Sequence, residues 1–325
     1  MRTSDPVFEL FLNYACQAKC AFCYNPPITD ELLRRELSFE QAAASLYAAA
    51  KGGARRLNLH GGEVTLRDDL AKIVRLARKV GFEAVTLVTN GVKLGDGRYA
   101  RSLAAAGVTH ARFSLHAPDA AAHDAIVVVP GAFERALAGI GHMRELGVPV
   151  GLNFVLTRSN ATLLPAFLKR FVLDEGIEDV IVYFPHERGM MAFNAAEVGI
   201  PYAAARSPLL KAAALLDAAG KLPALLLANV PPCAMPELAD LLLDWEREPA
   251  SAASSMIGPE GGRTDLNAMK DAQRGEVSAC PACALYERCR GVEPEYARRH
   301  GDAEFRALAA VPPALALALV PGASR

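Results

Sequence analysis

The segment Asn13 to Pro27 reads NYACQAKCAFCYNPP and places Cys16, Cys20 and Cys23 in a C-x3-C-x2-C spacing. The apolar run Val7 to Leu12 before it has the character of a strand, and Pro26-Pro27 bars a regular helix directly behind it. A strand that opens into a cysteine-lined loop sets thiolates at the mouth of a sheet, where β/α folds bind their ligands. Three thiolates can hold three irons of a [4Fe–4S] cluster and leave the fourth iron open. An open position is what separates a catalytic metal centre from a structural one. A structural zinc ion wants four ligands, and no fourth Cys or His lies nearby, the next candidate being His60. A disulfide needs an oxidising compartment, and no signal peptide is present. The spacing therefore reads as an open cluster site.

The same pattern, with the aromatic Phe22 before the last cysteine and at the end of a first strand, resembles the radical S-adenosylmethionine (SAM) enzymes. Further strand ends carry the resemblance on. Gly61-Gly62-Glu63 closes the second strand; its glycines permit close backbone approach and its carboxylate can accept from an ammonium group. The resemblance makes this the segment that holds the SAM amino group. Thr89-Asn90-Gly91 and Ser114-Leu115-His116 end the third and fourth strands, where Asn90 and Ser114 offer hydrogen bonds to a ribose or carboxylate. Phe22, Gly61, Gly62, Glu63, Asn90 and Ser114 are thus the expected cofactor-binding residues, with Cys16, Cys20 and Cys23 on the cluster. His116 stands where relatives often carry Asp. His123-Asp124 is similar to a family dipeptide, but Val127-Val128-Val129 replaces the Arg that often follows.

Up to Phe184 six strands alternate with helices. The strands are expected near 7–13, 55–60, 83–89, 109–115, 148–157 and 179–184, and the helices near 38–52, 67–80, 98–106, 132–146 and 162–174. Ser38 with Gln41 reads as a capping box. Alternation of this kind gives parallel β/α units with right-handed crossovers, in either an open barrel or a doubly wound sheet. The resemblance implies a partial (β/α)6 barrel over residues 1–206. A smaller C-terminal extension over 207–309 and a tail over 310–325 follow. The extension is expected to hold a helix near 208–219, a strand near 224–230, a helix near 237–246 and a mobile Ser/Gly-rich lid at 250–273.

Cys280-x2-Cys283-x5-Cys289 gathers three more soft ligands, and Cys233 after Pro231-Pro232 supplies a fourth. All seven cysteines then fall into two sets. Four cysteines suit structural zinc as well as an iron–sulfur cluster. The arrangement is similar to the shorter "twitch" auxiliary extensions of the family. Glu293 stands where a full SPASM extension would carry another Cys, so one closed auxiliary [4Fe–4S] cluster is expected.

Net charge of −1 gives no basic footprint for nucleic acid, and no 18-residue apolar run offers a membrane span. Cysteine usage without a signal peptide points to a reducing, cytoplasmic setting. The resemblance implies reductive cleavage of SAM to a 5′-deoxyadenosyl radical, hydrogen abstraction from a substrate, and a one-electron donor such as flavodoxin or ferredoxin. Its auxiliary-cluster members act on peptides or on small metabolites of the aminocyclitol or sugar type. An oxidative modification of a peptide natural-product precursor is the expectation, although the chain begins almost at strand one, without a leader-binding domain. The reading from another class is a non-catalytic iron–sulfur or zinc-binding interaction module. Tyr183, Phe184, His186, Glu187 and Arg188 follow the sixth strand as substrate-contact candidates. Arg135, Trp245 and Met190-Met191 read as surface and packing residues.

Overall fold

The computed structural model describes residues 6–247 and 254–312. Its centre is one open sheet of ten strands in the order β10-β9-β1-β2-β3-β4-β5-β6-β7-β8. Strands β1 (Val7–Phe11), β2 (Arg56–His60), β3 (Ala84–Thr89), β4 (His110–Ser114), β5 (Val150–Val155) and β6 (Val180–Tyr183) match the six expected ones. Each pairs in parallel with the next, in registers such as Phe11 with His60 and Ser114 with Asn153. Parallel order with helical crossovers requires apolar cover, and alternate residues provide it. Phe8, Leu10, Leu57, Leu59, Leu87 and Phe113 are fully buried beneath the helices. The other face is half-buried and polar, with Glu9, Asn58, His60, Arg112, Asn153 and Tyr183. This is the inner face of a partial barrel.

The helix Phe39–Lys51 starts at the expected capping box, with Ser38 accepting from Gln41 N and Gln41 accepting from Ser38 N. Other boundaries move for local reasons. The helix expected from Arg67 begins at Leu70, because Val64–Leu66 forms a 3₁₀ turn and Arg67 is extended. Buried Arg67 ties that corner together through Glu36 and Asp69. The helix expected at 208–219 is Tyr202–Ala218 and runs through Pro208. The expected boundary at 206/207 falls inside it.

Beyond this helix the sheet grows at both edges. β7 (Leu225–Ala228) and β8 (Leu242–Leu243) extend it from β6. The helix expected at 237–246 is instead the 3₁₀ turn Pro236–Leu241 followed by β8. The expected lid at 250–273 is a wall in its described part. There β9 (Ser255–Ile257) pairs parallel with β1, β10 (Arg263–Asp265) pairs antiparallel with β9, and the helix Leu266–Ala272 follows. Residues 248–253, and the expected tail from 313 onward, lie outside the described residues. Among the described residues no helix is long and apolar enough to cross a membrane.

Candidate functional site

The cysteine loop leaves β1 at Leu12, whose N–H donates to His60 O, and is then welded to the end of β2. Gly62 N donates to Asn13 O at 2.6 Å, Glu63 N to Ala15 O at 2.7 Å, and Asn13 Nδ2 to Glu63 O at 3.2 Å. Both glycines are required by this contact. A Cβ on Gly61 would strike the Asn13 backbone, and one on Gly62 would strike the carbonyls of Tyr14 and Ala15. What they visibly approach is the cysteine loop itself.

Other elements hold the loop from further sides. Lys19 N donates to Val127 O at 3.0 Å, on the last residue of the helix Ala120–Val127. The helix Met190–Val198 directs its first N–H groups at the loop, Met190 N to Asn25 O at 2.8 Å and Met191 N to Cys23 O at 3.0 Å. Asn194 Nδ2 adds a bond to Ala21 O. Gly189, at φ 57°, lies against the carbonyls of Tyr24 and Asn25, where a Cβ has no room. Sequence reasoning took Met190-Met191 for packing and passed over Gly189 and Asn194. The only available signal was a glycine just before a helix near a strand end.

Burial pushes the Cys16 thiol up to about 11, with the Glu63 and Cys23 charges adding to it. Burial together with Cys23 and Cys16 pushes Cys20 up to about 12, and burial raises Cys23. Three thiolates on one loop repel one another unless a cationic group binds them, and three soft donors are the set an open iron–sulfur cluster needs. Ala18 N, at 3.4 Å, and Asn90 Nδ2, at 3.9 Å, point at Cys16 Sγ. Asn90 Oδ1 accepts in turn from Gln17 Nε2 and Val92 N.

Glu63 is held from within the protein. It is 1% exposed, and Oε1 takes bonds from Thr65 N, Thr65 Oγ1 (2.6 Å) and Thr89 Oγ1 (2.7 Å). Oε2 takes one from Asn90 N at 2.7 Å, which leaves one acceptor position there. Burial raises its pKa against the pull of these bonds. The carboxylate thus clamps the end of β3 to the end of β2. Phe22 packs edge-on against His116, ring centroids 4.7 Å apart. Burial keeps His116 neutral, and its Nδ1 accepts from Val155 N. The position expected to be Asp in relatives therefore supports an aromatic residue of the cysteine loop. Ser114 ends β4 on the inner face, opposite Asn153.

The second set is brought together as well. Cys233, Cys280, Cys283 and Cys289 line one cavity with Pro232, Arg290 and Val292. Burial, then the charges of Cys289, Cys280 and Cys283, push Cys233 up to about 12. Val277 N and Gly291 N donate to the sulfurs of Cys280 and Cys289 at 3.4 and 3.3 Å. Among the described residues no three Cys, His, Asp or Glu side chains converge on a single point. Of the residues after β6, His186 and Glu187 pair with Glu293 and Arg299 of the C-terminal region.

Residues 11–165 match the family model described as the radical SAM superfamily. This part of the chain is a radical SAM domain. The chain is 39% identical over 155 residues to a protein named probable GTP 3′,8-cyclase of Saccharolobus solfataricus, covering 47% of this chain and 48% of that one. It is 34% identical over 149 residues to the PqqA peptide cyclase of Rhizobium meliloti, covering 46% and 39%. The chain spans about half the length of the curated relatives it matches. The fold of Streptococcus suis SuiB bound to S-adenosylmethionine superposes on 94% of this chain and 77% of its own, with a TM-score of 0.64 at 17% identity. That likeness extends the shared fold well beyond residue 165.

Proposed function

We propose that the chain cleaves SAM reductively at the Cys16/Cys20/Cys23 loop and removes hydrogen from a peptide, with net oxidation of that peptide. The observation that carries this is the pairing of two unlike cysteine sites on one sheet. One has three thiols at the mouth of the inner face, and the other has four thiols around a cavity. A [4Fe–4S] cluster on the first set, with SAM, supplies one-electron cleavage and hydrogen abstraction. Phe22, Gly61, Gly62, Glu63, Asn90 and Ser114 surround the place where SAM would bind. Oε2 of Glu63 has the single acceptor position left for its ammonium group.

Residues 207–309 act in this reading as the auxiliary extension. Cys233, Cys280, Cys283 and Cys289 hold a closed [4Fe–4S] cluster there, and the N–H bonds to Cys280 and Cys289 favour thiolate at those two sulfurs. A one-electron donor such as flavodoxin or ferredoxin would supply the electron. The peptide is favoured over a small metabolite by likeness to the PqqA peptide cyclase, while likeness to the GTP 3′,8-cyclase supports the second reading.

The test is anaerobic reconstitution followed by incubation with SAM, dithionite and candidate short precursor peptides. Formation of 5′-deoxyadenosine with loss of two hydrogens from the peptide is the expected result. SAM cleavage without any change in the peptide would move the assignment to a small metabolite, and absence of both would reject the enzyme reading.

A further inference from the structure

The loop after β6 carries three ionisable side chains in a row, His186, Glu187 and Arg188. Two of them are used within the protein. His186 Nδ1 lies 3.3 Å from the buried carboxylate of Glu293, and buried Glu187 accepts from Arg299 Nε at 3.1 Å. The loop is thus pinned to the C-terminal region at two successive residues. Arg188 N donates to His186 O at 2.7 Å and turns the chain back. Gly189 then lies against the carbonyls of Tyr24 and Asn25, and Met191 N donates to Cys23 O. Arg188 is therefore fixed between the C-terminal region and the first cysteine loop, at the strand ends where β/α enzymes meet their substrates.

Of the three, Arg188 has no partner. Among the described residues no carboxylate lies within ion-pair distance of its guanidinium, and its Nε is sealed from water with no acceptor. The residue as a whole is half-buried, so the two Nη groups keep contact with solvent. An arginine stays charged at any working pH, and a shielded guanidinium N–H without an acceptor is costly. A carboxylate that takes parallel bonds from the two Nη groups offsets that cost, because its two oxygens match the fork. A loop pinned on both sides loses little freedom when such a ligand arrives.

We propose that Arg188 grips a carboxylate of the substrate, either an acidic side chain or the free C-terminus of a peptide. It is then a specificity-determining residue, setting which part of the peptide lies beside the cysteine loop. The proposal rests on the peptide reading above for the owner of the carboxylate. SAM carries a carboxylate too, on the same carbon as the ammonium group assigned to Glu63. Glu63 joins the ends of β2 and β3, whereas Arg188 follows β6, which favours the substrate.

The test reads the guanidinium directly. In the full chain labelled with 15N-arginine, the Arg188 Nε–H signal is assigned by its loss in Arg188→Lys. N-acetylglutamate α-amide, with a side-chain carboxylate, or N-acetylglycine, with a terminal one, should move that signal saturably. The tighter of the two identifies the kind of carboxylate, and N-acetylglutamine amide should leave the signal in place. Followed on the ligand's own resonances, half-saturation should need roughly tenfold more carboxylate in Arg188→Gln, and less of an increase in Arg188→Lys. No shift with either carboxylate, or an unchanged half-saturation in Arg188→Gln, would reject the proposal. A shift produced by SAM that blocks the response to both carboxylates would give the site to the cofactor and overturn the substrate assignment. A tighter response to inorganic phosphate would give it to a phosphorylated small molecule and overturn it equally. None of these measurements needs SAM cleavage, so failure of the radical reading would show separately, as absence of 5′-deoxyadenosine from the reconstituted wild type.

Discussion

Lys270 Nζ donates to Asp244 Oδ1 at 2.6 Å and so joins the two ends of the sheet. Lys270 lies in the helix after β10, and Asp244 follows β8 at the opposite edge. Both reach toward the inner face, where Lys270 acts on Glu9 and Asp244 on Tyr183. Asp244 holds a left-handed φ of 59°, a conformation that Asn tolerates as readily. The open sheet is thus bridged by charge where hydrogen bonding between strands stops.

The two side chains are about a third exposed, so the pair should contribute only ~0.2–1 kcal/mol. A double-mutant cycle of Lys270→Ala and Asp244→Asn, followed by denaturant unfolding, reads that coupling. Amide exchange in β8, β9 and β10 should quicken in either variant. Zero coupling with unchanged exchange would show that the edges are held without this pair.

Gly189→Ala should damage the first cysteine site from outside it. The substitution places a Cβ at φ 57° against the carbonyls of Tyr24 and Asn25. Overpacking of this kind typically costs ~1–3 kcal/mol, with the left-handed backbone adding to that. Iron retained by the first set should fall while iron on the second set stays. Full iron content with an unshifted melting temperature would show that the loop gives way freely.

The barrel was legible because its signals were local. Period-two burial, the Ser38 capping box and the polar strand ends each state their role within a few residues. Three things were not legible. β8, β9 and β10 have two or three residues each, too few to show a period. Pro208 reads as a break, yet the packing of Tyr202, Ala205 and Leu209 carries the helix through it. The anchors of the cysteine loop at Met190 and Met191 are backbone N–H groups, which any residue but proline supplies. Glu63 was legible as a carboxylate in the right place, but its four internal donors come from Thr65, Thr89 and Asn90, which only the fold assembles.

Glu63→Ala should therefore lower stability as well as SAM affinity. Removing the carboxylate strands the N–H groups of Thr65 and Asn90, each costing ~1–3 kcal/mol when left unpaired. The apo-protein should unfold at lower denaturant, and a SAM titration should weaken roughly tenfold or more. Weaker SAM binding at unchanged stability would mean that the clamp is dispensable.

Acid should loosen the contact between the barrel and the C-terminal region. Burial works to raise the pKa of Glu293, but the bond and charge of His186, with Arg274, outweigh it and lower the pKa. A lowered carboxylate pKa gives stability that is present above the unfolded value of ~4.3 and is lost as pH falls through the folded value. Stability measured on descending pH should therefore drop below about pH 4, and Glu293→Gln should remove part of that drop. An identical acid profile in the variant would mean that other carboxylates dominate.

The cysteine sets should separate by substitution. Cys16→Ala, Cys20→Ala or Cys23→Ala should each abolish SAM cleavage with dithionite, because two thiolates cannot hold a cluster with one open iron. Replacing Cys233, Cys280, Cys283 and Cys289 together with Ala should remove about four irons of about eight and leave the first cluster in place. The four lie around one cavity although Cys233 is far from the trio in sequence, since closing a long loop adds little entropy per added residue. SAM cleavage should persist in this variant while peptide oxidation fails. Eight irons retained would place the second cluster elsewhere. Zinc recovered at the site, with about four irons in the wild type, would keep the radical chemistry and end the auxiliary cluster's part in it.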